Sequence, residues 1–269
     1  MDIIKKLAQE LAIKEEQAKA AVQLIDEGNT IPFIARYRKE MTGALNDETL
    51  RNLHERLLYL RNLEEKKEQV INAITDQGKM TEDLKKKILS AETLVAVDDL
   101  YRPYRPKKQT RATKAKEKGL EPLANILLLQ KTTKSMEEEA AAFVNAEKGV
   151  ANAKEAIAGA KDIIAEMIAD MADYRKSIRN CTMKQGSLVV KAKDEKAESV
   201  YEMYYDFEEP ISKLAGHRVL ALNRGEKEKI LTVKINAPEE EILSWLKRQV
   251  IRTDNPNTTP ILEAVVEDS

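Results

Sequence analysis

The residues in this sequence best suited to contact a charged partner are the cations and tyrosines of one segment, Asp98–Ala124. Eight cations lie between Arg102 and Lys118, with one acid among them, whereas the chain of 269 residues has a formal net charge of −1. Lysine and arginine neutralise phosphates and tyrosine rings stack on bases, so this basic strip, Tyr101–Lys118, predicts contact with a nucleic acid. The residues predicted to make that contact are Tyr101, Arg102, Tyr104, Arg105, Lys107, Lys108, Arg111 and Lys114.

Two prolines set the expected backbone of the basic strip. Pro103 and Pro106 disfavour the α conformation at the residues before them, Arg102 and Arg105. The strip is therefore predicted to begin as extended chain, a form that suits a polyanion lying along it. Two other interpretations stay open. The tyrosines pack on neighbouring helices while the cations are solvated, or the cations pair with the acidic run Asp194–Glu209 within the fold.

A second group of cations, Arg36, Arg38 and Lys39, lies on and just after a predicted short helix. The same helix carries Phe33 and Tyr37, and helical spacing places these two rings on a different side from the basic one. One interpretation is a helix-turn-helix that presents its basic face to a groove of nucleic acid. The alternative is that the apolar face docks into a helix bundle while the arginines bind carboxylates or helix C-termini.

The sequence lacks the residue patterns of an enzyme. One cysteine, Cys181, and two distant histidines, His54 and His217, do not provide the spacing of a zinc site. No glycine loop that cradles phosphate and no nucleophile elbow is present. The adjacent acids Asp98 and Asp99 are more typical of a helix cap or of ion pairs than of a magnesium site. We therefore expect a non-catalytic protein without a metal or other cofactor.

Composition predicts a cytoplasmic protein that is mostly α-helical. The chain is 34% charged and 42% hydrophobic, with nine glycines and eight prolines, a profile typical of helical proteins. Its N-terminal residues lack the apolar core of a signal peptide, and no apolar run reaches the roughly 20 residues of a membrane span. The lone cysteine fits a reducing compartment.

Apolar spacing predicts a multi-helix assembly with two long helices. One is Asp47–Gln77, with near-heptad leucines, and the other is Ala146–Ile178. After Gly186, two short β-branched runs predict a small α+β region. The predicted domains are a helical region over residues 1–185, the small α+β region over 186–252 and a linker over 253–269.

Four ordered segments resemble the Tex family of bacterial transcription accessory proteins, which is related to a eukaryotic transcription elongation factor. The segments are Ile31–Leu45 (IPFIARYRKEMTGAL), Asp98–Ala124, Ala146–Ala160 (AEKGVANAKEAIAGA) and Tyr205–Ile235. The resemblance implies a helix-turn-helix-like module in this region. It also implies a longer protein with a ribonuclease-H-like domain, helix-hairpin-helix motifs and an oligonucleotide-binding barrel. None of those follows Ser269, so we expect an N-terminal fragment.

The favoured hypothesis is a non-catalytic, nucleic-acid-associated region of a transcription accessory factor. It would bind RNA or DNA without sequence preference through the basic strip and support downstream domains of the same chain. The rival hypothesis is a helical protein-interaction scaffold. That scaffold would orient the downstream domains and contact RNA polymerase without binding nucleic acid itself.

Overall fold

The computed structural model describes residues 2–106 and 108–269. Within them the chain is mostly α-helical with one small antiparallel sheet, which confirms the predicted fold class. The helices are α1 (Ile3–Glu10), α2 (Glu15–Asp26), α3 (Ile31–Tyr37), α4 (Asp47–Asp76), α5 (Glu82–Ser90), α6 (Leu94–Tyr101), α7 (Arg111–Glu117), α8 (Glu121–Leu129), α9 (Met136–Ala141), α10 (Ala153–Asp170), α11 (Ala172–Gln185), α12 (Gly216–Lys227), α13 (Glu239–Val250) and α14 (Thr259–Asp268). The strands are β1 (Ser187–Ala192), β2 (Asp206–Pro210) and β3 (Leu231–Asn236).

The chain divides into two compact units, Met1–Tyr104 and Arg105–Ser269. This division differs from the predicted boundaries after residues 185 and 252. The physical reason is a shared core: buried side chains from α7, α8, α9, α10, α13 and α14 form one hydrophobic cluster. Helices predicted to belong to three separate regions therefore fold as one unit.

Helix α4 is the structural centre of the first unit, as its near-heptad spacing predicts. Asn46 begins the helix, because its side chain accepts a hydrogen bond from the Thr49 amide at 2.7 Å. Helices α1, α2, α3, α5 and α6 pack around its apolar face. The buried apolar residues of that face are Leu50, Leu53, Leu57, Leu60, Leu63, Val70 and Ile74.

Helix α10 has the same central role in the second unit, where α7, α8, α9, α11 and α14 contact it. Helix α7 packs extensively against α10, and Gly159 lies where the two helices meet. A Cβ on Gly159 would lie 3.2 Å from the Ala115 Cβ and would overlap the Leu120 side chain. The missing side chain therefore lets α10 lie directly against the helix that carries part of the basic strip.

The small sheet has the strand order β2-β1-β3, with β1 antiparallel to both neighbours. Helix α12 packs beside β3, and the buried residues of this small core are Val190, Tyr201, Tyr204, Leu222 and Leu231. The acidic run contributes β2 to this sheet. Its last acid, Glu209, pairs with Arg218 of α12, so this part of the run has a partner within its own region.

Two further segments differ from the sequence-based expectation. The second long helix, predicted over Ala146–Ile178, begins only at Ala153, because a turn between Asn145 and Val150 precedes it. It is also broken at Met171, whose ψ of 114° is extended, so α10 and α11 are separate helices. The predicted linker is also structured, since α14 places Leu262 in the core. Gln130 holds the chain between α13 and α14 through hydrogen bonds to its backbone. Its Nε2 donates to the Val250 carbonyl at 2.8 Å, and its Oε1 accepts from the Arg252 amide at 2.9 Å.

Candidate nucleic-acid interface

The first residues of the basic strip close the first unit. Helix α6 runs directly into a 3-10 turn, Arg102–Tyr104. Arg102 has φ −52° and ψ −43°, so the prediction that its following proline keeps it out of the α conformation is wrong. The proline effect is a preference, and here the helix overrides it: the Arg102 amide donates to the Asp98 carbonyl. Gln77 fixes the turn, because its Nε2 donates to the Tyr104 carbonyl at 2.9 Å.

The two tyrosines of the strip are each partly buried in the first unit and partly exposed to solvent. Tyr101 and Tyr104 are half-buried and pack against the core of the first unit. This placement matches the interpretation in which the rings pack on neighbouring helices. Arg102 and, in the second unit, Arg105 and Lys108 are exposed. The predicted contact Lys107 lies outside the described residues.

Helix α7 carries the part of the strip that belongs to the second unit. The Thr110 hydroxyl begins the helix by accepting a hydrogen bond from a first-turn amide at 3.0 Å. Ala112 and Ala115, three residues apart, are buried on the side that faces the core. Lys114 is exposed, and Lys118 follows it by four residues, so both project from one side of the helix.

A third lysine, distant in sequence, joins these two. The turn between Asn145 and Val150 is closed by two backbone hydrogen bonds of 2.9 and 3.0 Å. Lys118 Nζ donates to the Gly149 carbonyl of this turn at 2.8 Å. Lys148 Nζ in turn lies 3.6 Å from the point that a Cβ on Gly119 would occupy. Lys118 and Lys148 thus lie close to each other, and helical spacing places Lys114 one turn before Lys118. These three residues are called the lysine cluster.

Sequence reasoning missed Lys148 as a site residue. The signal available in the sequence was a glycine directly after each lysine, Gly119 and Gly149. Both glycines have positive φ, +81° and +71°, so each ends a tight turn that a side chain would strain. Each glycine faces the lysine of the other turn: Lys148 lies beside Gly119, and Lys118 lies beside Gly149. Their proximity to each other depends on tertiary packing, which spacing along the chain does not reveal.

Arg111, by contrast, is occupied by carboxylates of its own unit. Its Nε lies 3.4 Å from Asp162 Oδ1, and an Nη donates to Asp268 Oδ2 at 3.0 Å. These partners differ from the acidic run Asp194–Glu209 that one interpretation proposed. The charge of Arg111 is therefore largely balanced within the fold, although the side chain itself is exposed.

The second predicted group lies at the end of α3 in the first unit, and Arg36, Arg38 and Lys39 are all exposed. The expectation that an apolar aromatic face docks into the bundle is wrong. Phe33 and Tyr37 are exposed, and Ile34 is the buried side chain of α3. The two ring centroids are 5.2 Å apart, and the Arg38 guanidinium lies 5.2 Å from the Phe33 centroid.

The described residues provide no assembled metal site. Among them, no group of three or more His, Cys, Asp or Glu side chains lies close enough together to hold an ion. His54 is half-buried on α4 and His217 is exposed on α12, in different units. In the same part of the chain, each helix is either too short or too polar to cross a lipid bilayer.

Two family profiles match the chain in order. The one described as the Tex-like protein N-terminal domain covers residues 1–75, and the one described as Tex central region-like covers residues 131–256. The chain belongs to the Tex family. Helix α3 lies within the first matched range and Lys148 within the second, whereas α7 lies between the two ranges.

The similarity to named relatives covers most of the chain. The Bacillus subtilis protein YdcI is 44% identical over 266 residues, which cover 98% of this chain and 37% of YdcI. The Transcriptional accessory protein Tex of Neisseria gonorrhoeae is 41% identical over 238 residues, which cover 87% of this chain and 31% of the relative. The human S1 RNA-binding domain-containing protein 1 is 32% identical over 257 residues, 91% of this chain and 25% of that protein. This Tex-family chain therefore spans a quarter to somewhat over a third of these relatives.

Proposed function

We propose that this chain is a non-catalytic, nucleic-acid-associated region of a transcription accessory factor. It binds cytoplasmic RNA or DNA without sequence preference. The observation that carries the proposal is the lysine cluster, in which Lys118 and Lys148 approach each other from two segments of the second unit and Lys114 lies one helical turn before Lys118. Family membership supports it, since one relative is named a transcriptional accessory protein and another is named for an RNA-binding domain.

The chemistry of the cluster favours phosphate contact over base reading. Lysine ammonium groups act as hydrated point charges, and contacts of this kind bind phosphates independently of sequence. Acids lie nearby, because Glu117 and Glu147 precede Lys118 and Lys148, so the cluster is a local feature and not a uniformly basic surface. Arg105 and Lys108, exposed on the chain that leads into α7, extend this contact in the proposal.

The test is the salt dependence of binding. The three lysines of the cluster are expected to contribute about 2 to 3 to the slope with which log affinity falls against log salt concentration. Changing Lys114, Lys118 and Lys148 together to glutamine should flatten that slope by about 2. Fluorescence anisotropy with labelled single-stranded RNA, single-stranded DNA and duplex DNA, at four or more salt concentrations, measures it.

The matched control removes the same charge from the same unit. Lys131, Lys134 and Lys176 are exposed and lie outside the cluster. Their triple change to glutamine should lower affinity slightly and leave the slope close to that of the unaltered chain. Equal slopes for the cluster variant and the control variant would rule out the cluster as the interface. Circular dichroism melts confirm that both variants remain folded.

A protein-interaction scaffold is the second candidate, and one observation favours it. Several large apolar side chains around the small sheet are exposed: Val200, Met203, Leu220 and Ile235. A contiguous exposed apolar patch commonly marks a protein contact, and this candidate takes the four side chains to form one. In this candidate function the second unit supports downstream domains and contacts RNA polymerase. Retention of the chain on purified RNA polymerase, lost in a Leu220→Asp variant and kept in the lysine-cluster variant, would favour the scaffold.

A further inference from the structure

Helix α3 ends in a cluster of exposed aromatic and apolar side chains that the fold itself does not require. Tyr37 is 61% exposed, Phe33 is 36% exposed and Met41, just beyond the helix, is 53% exposed. The docking of α3 is carried by Ile34, which is fully buried. The fold is therefore secured by one side of this short helix, while its rings face outward.

The rings and a cation form an ordered row. Phe33 and Tyr37 are four residues apart, with their ring planes tilted by 46°. The Arg38 guanidinium lies over the Phe33 ring, in the range of a cation–π contact. Phe33 is thus covered in part by two neighbours, whereas Tyr37 is the more accessible ring. An accessible ring held by its neighbours is suited to stacking against a flat partner.

The segment that follows α3 is held rigidly, which fixes the row in place. Thr42 is fully buried, and its hydroxyl donates to the Arg38 carbonyl at 3.2 Å. Gln17 Nε2 donates to the carbonyls of Thr42 at 3.2 Å and Gly43 at 2.9 Å. Gly43 has φ +60°, and a Cβ there would overlap the Gln17 side chain. Gln17 of α2 therefore holds the turn in place, so little conformational freedom remains to be lost on binding a partner.

The charge around the rings is mainly positive. Arg36 and Lys39 are exposed beside Tyr37, and together with Arg38 they provide three cations within four residues. One acid, Glu40, follows them. Rings combined with cations are the chemistry of single-stranded nucleic-acid binding, in which bases stack and phosphates pair with lysine or arginine.

We propose that Tyr37, supported by Phe33 and Arg38, is a stacking platform for an unpaired base, and that Arg36 and Lys39 hold the phosphates beside it. The inference rests on the proposed nucleic-acid function and assigns to the first unit a preference for single strands. A stacked base must be unpaired, which a duplex does not offer.

The test compares two strands that share a backbone. One is a labelled 12-nucleotide single strand with bases, and the other is the same strand with abasic sites throughout. Tyr37→Ala should weaken binding of the base-containing strand about 10-fold, equivalent to about 1.4 kcal/mol. It should leave the abasic strand, the matched duplex and the salt slope unchanged. Tyr37→Phe, which keeps the ring, should retain affinity for the base-containing strand.

Two controls separate stacking from charge and from general surface change. Leu89→Ala removes a similarly exposed apolar side chain from α5 in the same unit and should have no effect. Changing Arg36 and Lys39 together to glutamine should flatten the single-strand salt slope by about 1.4, with or without bases. The same double change at Lys85 and Lys86, which are exposed on α5, should leave the single-strand salt slope unchanged.

The inference and the proposed function fail on different variants. If the unaltered chain does not bind the base-containing strand better than the abasic strand, or Tyr37→Ala weakens both strands equally, stacking is excluded while phosphate binding by the lysine cluster stands. If the lysine-cluster variant behaves like its control while Tyr37→Ala retains its base-dependent loss, the proposed interface fails and the platform stands. A Tyr37→Ala variant that binds every probe normally would leave this face to a protein partner.

Discussion

Two adjacent leucines on α4 offer a stringent test of how the first unit is held together. Leu57 is 1% exposed and Leu58 is 53% exposed, and they share a helix, a residue type and nearly the same neighbours in sequence. Replacing either one by alanine changes helix propensity equally, since alanine and leucine differ little in that respect. Any difference in stability between the two variants therefore reports burial alone.

The expected magnitudes follow from that burial. Leu57→Ala removes buried methyl and methylene groups and leaves a cavity on the face around which five helices pack, so it should lower the free energy of unfolding by roughly 2–5 kcal/mol. Leu58→Ala removes atoms that remain largely in water and should change it by at most about 0.5 kcal/mol. The difference between the variants should thus be at least about 1.5 kcal/mol.

Urea denaturation followed by far-ultraviolet circular dichroism measures both variants against the unaltered chain. The midpoint should fall clearly for Leu57→Ala and hardly move for Leu58→Ala, with a similar slope for all three chains. Equal shifts would show that the near-heptad face of α4 is not the inner face of the unit. A large loss for Leu58→Ala alone would reverse the assignment of the two faces.

Two further predictions concern charged pairs. Glu10 accepts a bidentate hydrogen bond from Arg56, which lowers the pKa of the Glu10 carboxyl from its usual value of 4.5. A lowered carboxyl pKa adds stability that is present above the unfolded-state pKa and is lost as the pH falls through the folded-state pKa. Glu10→Gln should therefore lower the free energy of unfolding by about 0.2–1 kcal/mol at pH 7. The difference in stability between the variant and the unaltered chain should shrink as the pH falls. A difference that stays constant from pH 7 to pH 2.5 would contradict the pairing. Arg111→Gln, measured by anisotropy, should flatten the salt slope of nucleic-acid binding less than Lys114→Gln, because Asp162 and Asp268 already balance the Arg111 charge; an equal change would show that those carboxylates do not.

Local signals in the sequence predict much of the helical framework. The near-heptad spacing from Leu50 to Ile74 identifies the buried face of α4, and Asn46 marks its first turn. Ser135 likewise begins α9, where its hydroxyl accepts from the Glu138 amide at 3.2 Å. Caps and apolar periodicity act within a few residues of one another, so the sequence displays them directly.

The errors arise where tertiary contacts override local preference. The break at Met171 has no glycine or proline to mark it, and apolar residues continue on both sides, so the periodicity suggests one helix. The structured tail depends on Gln130, which bonds backbone groups more than 100 positions later in the chain. The lysine cluster depends in the same way on Lys148 reaching Gly119 across the turn. None of these contacts has a counterpart in the spacing of nearby residues.

The cations of the basic strip also show why a count of charges is a poor guide to a binding surface. Arg111 and Lys114 lie within one turn of α7, and the sequence offers no reason to treat them differently. In the fold the two side chains differ. Arg111 forms ion pairs with Asp162 and Asp268, so carboxylates of the same unit balance its charge. Lys114 lies one turn before Lys118, which is itself turned toward Lys148 by the Gly149 carbonyl.

Helix α3 illustrates the opposite case, in which the sequence held a usable signal. Ile31, Ile34 and Ala35 have helical spacing and supply the inward side, where Ile34 is buried and the other two are half-buried. Phe33 and Tyr37 are also four residues apart, but on another side, so one seven-residue helix cannot bury both sets against a single core. The inward set packs against the core, whereas the two rings contact each other and Arg38 at the surface. Their position beside three cations is the observation on which the proposed stacking platform rests.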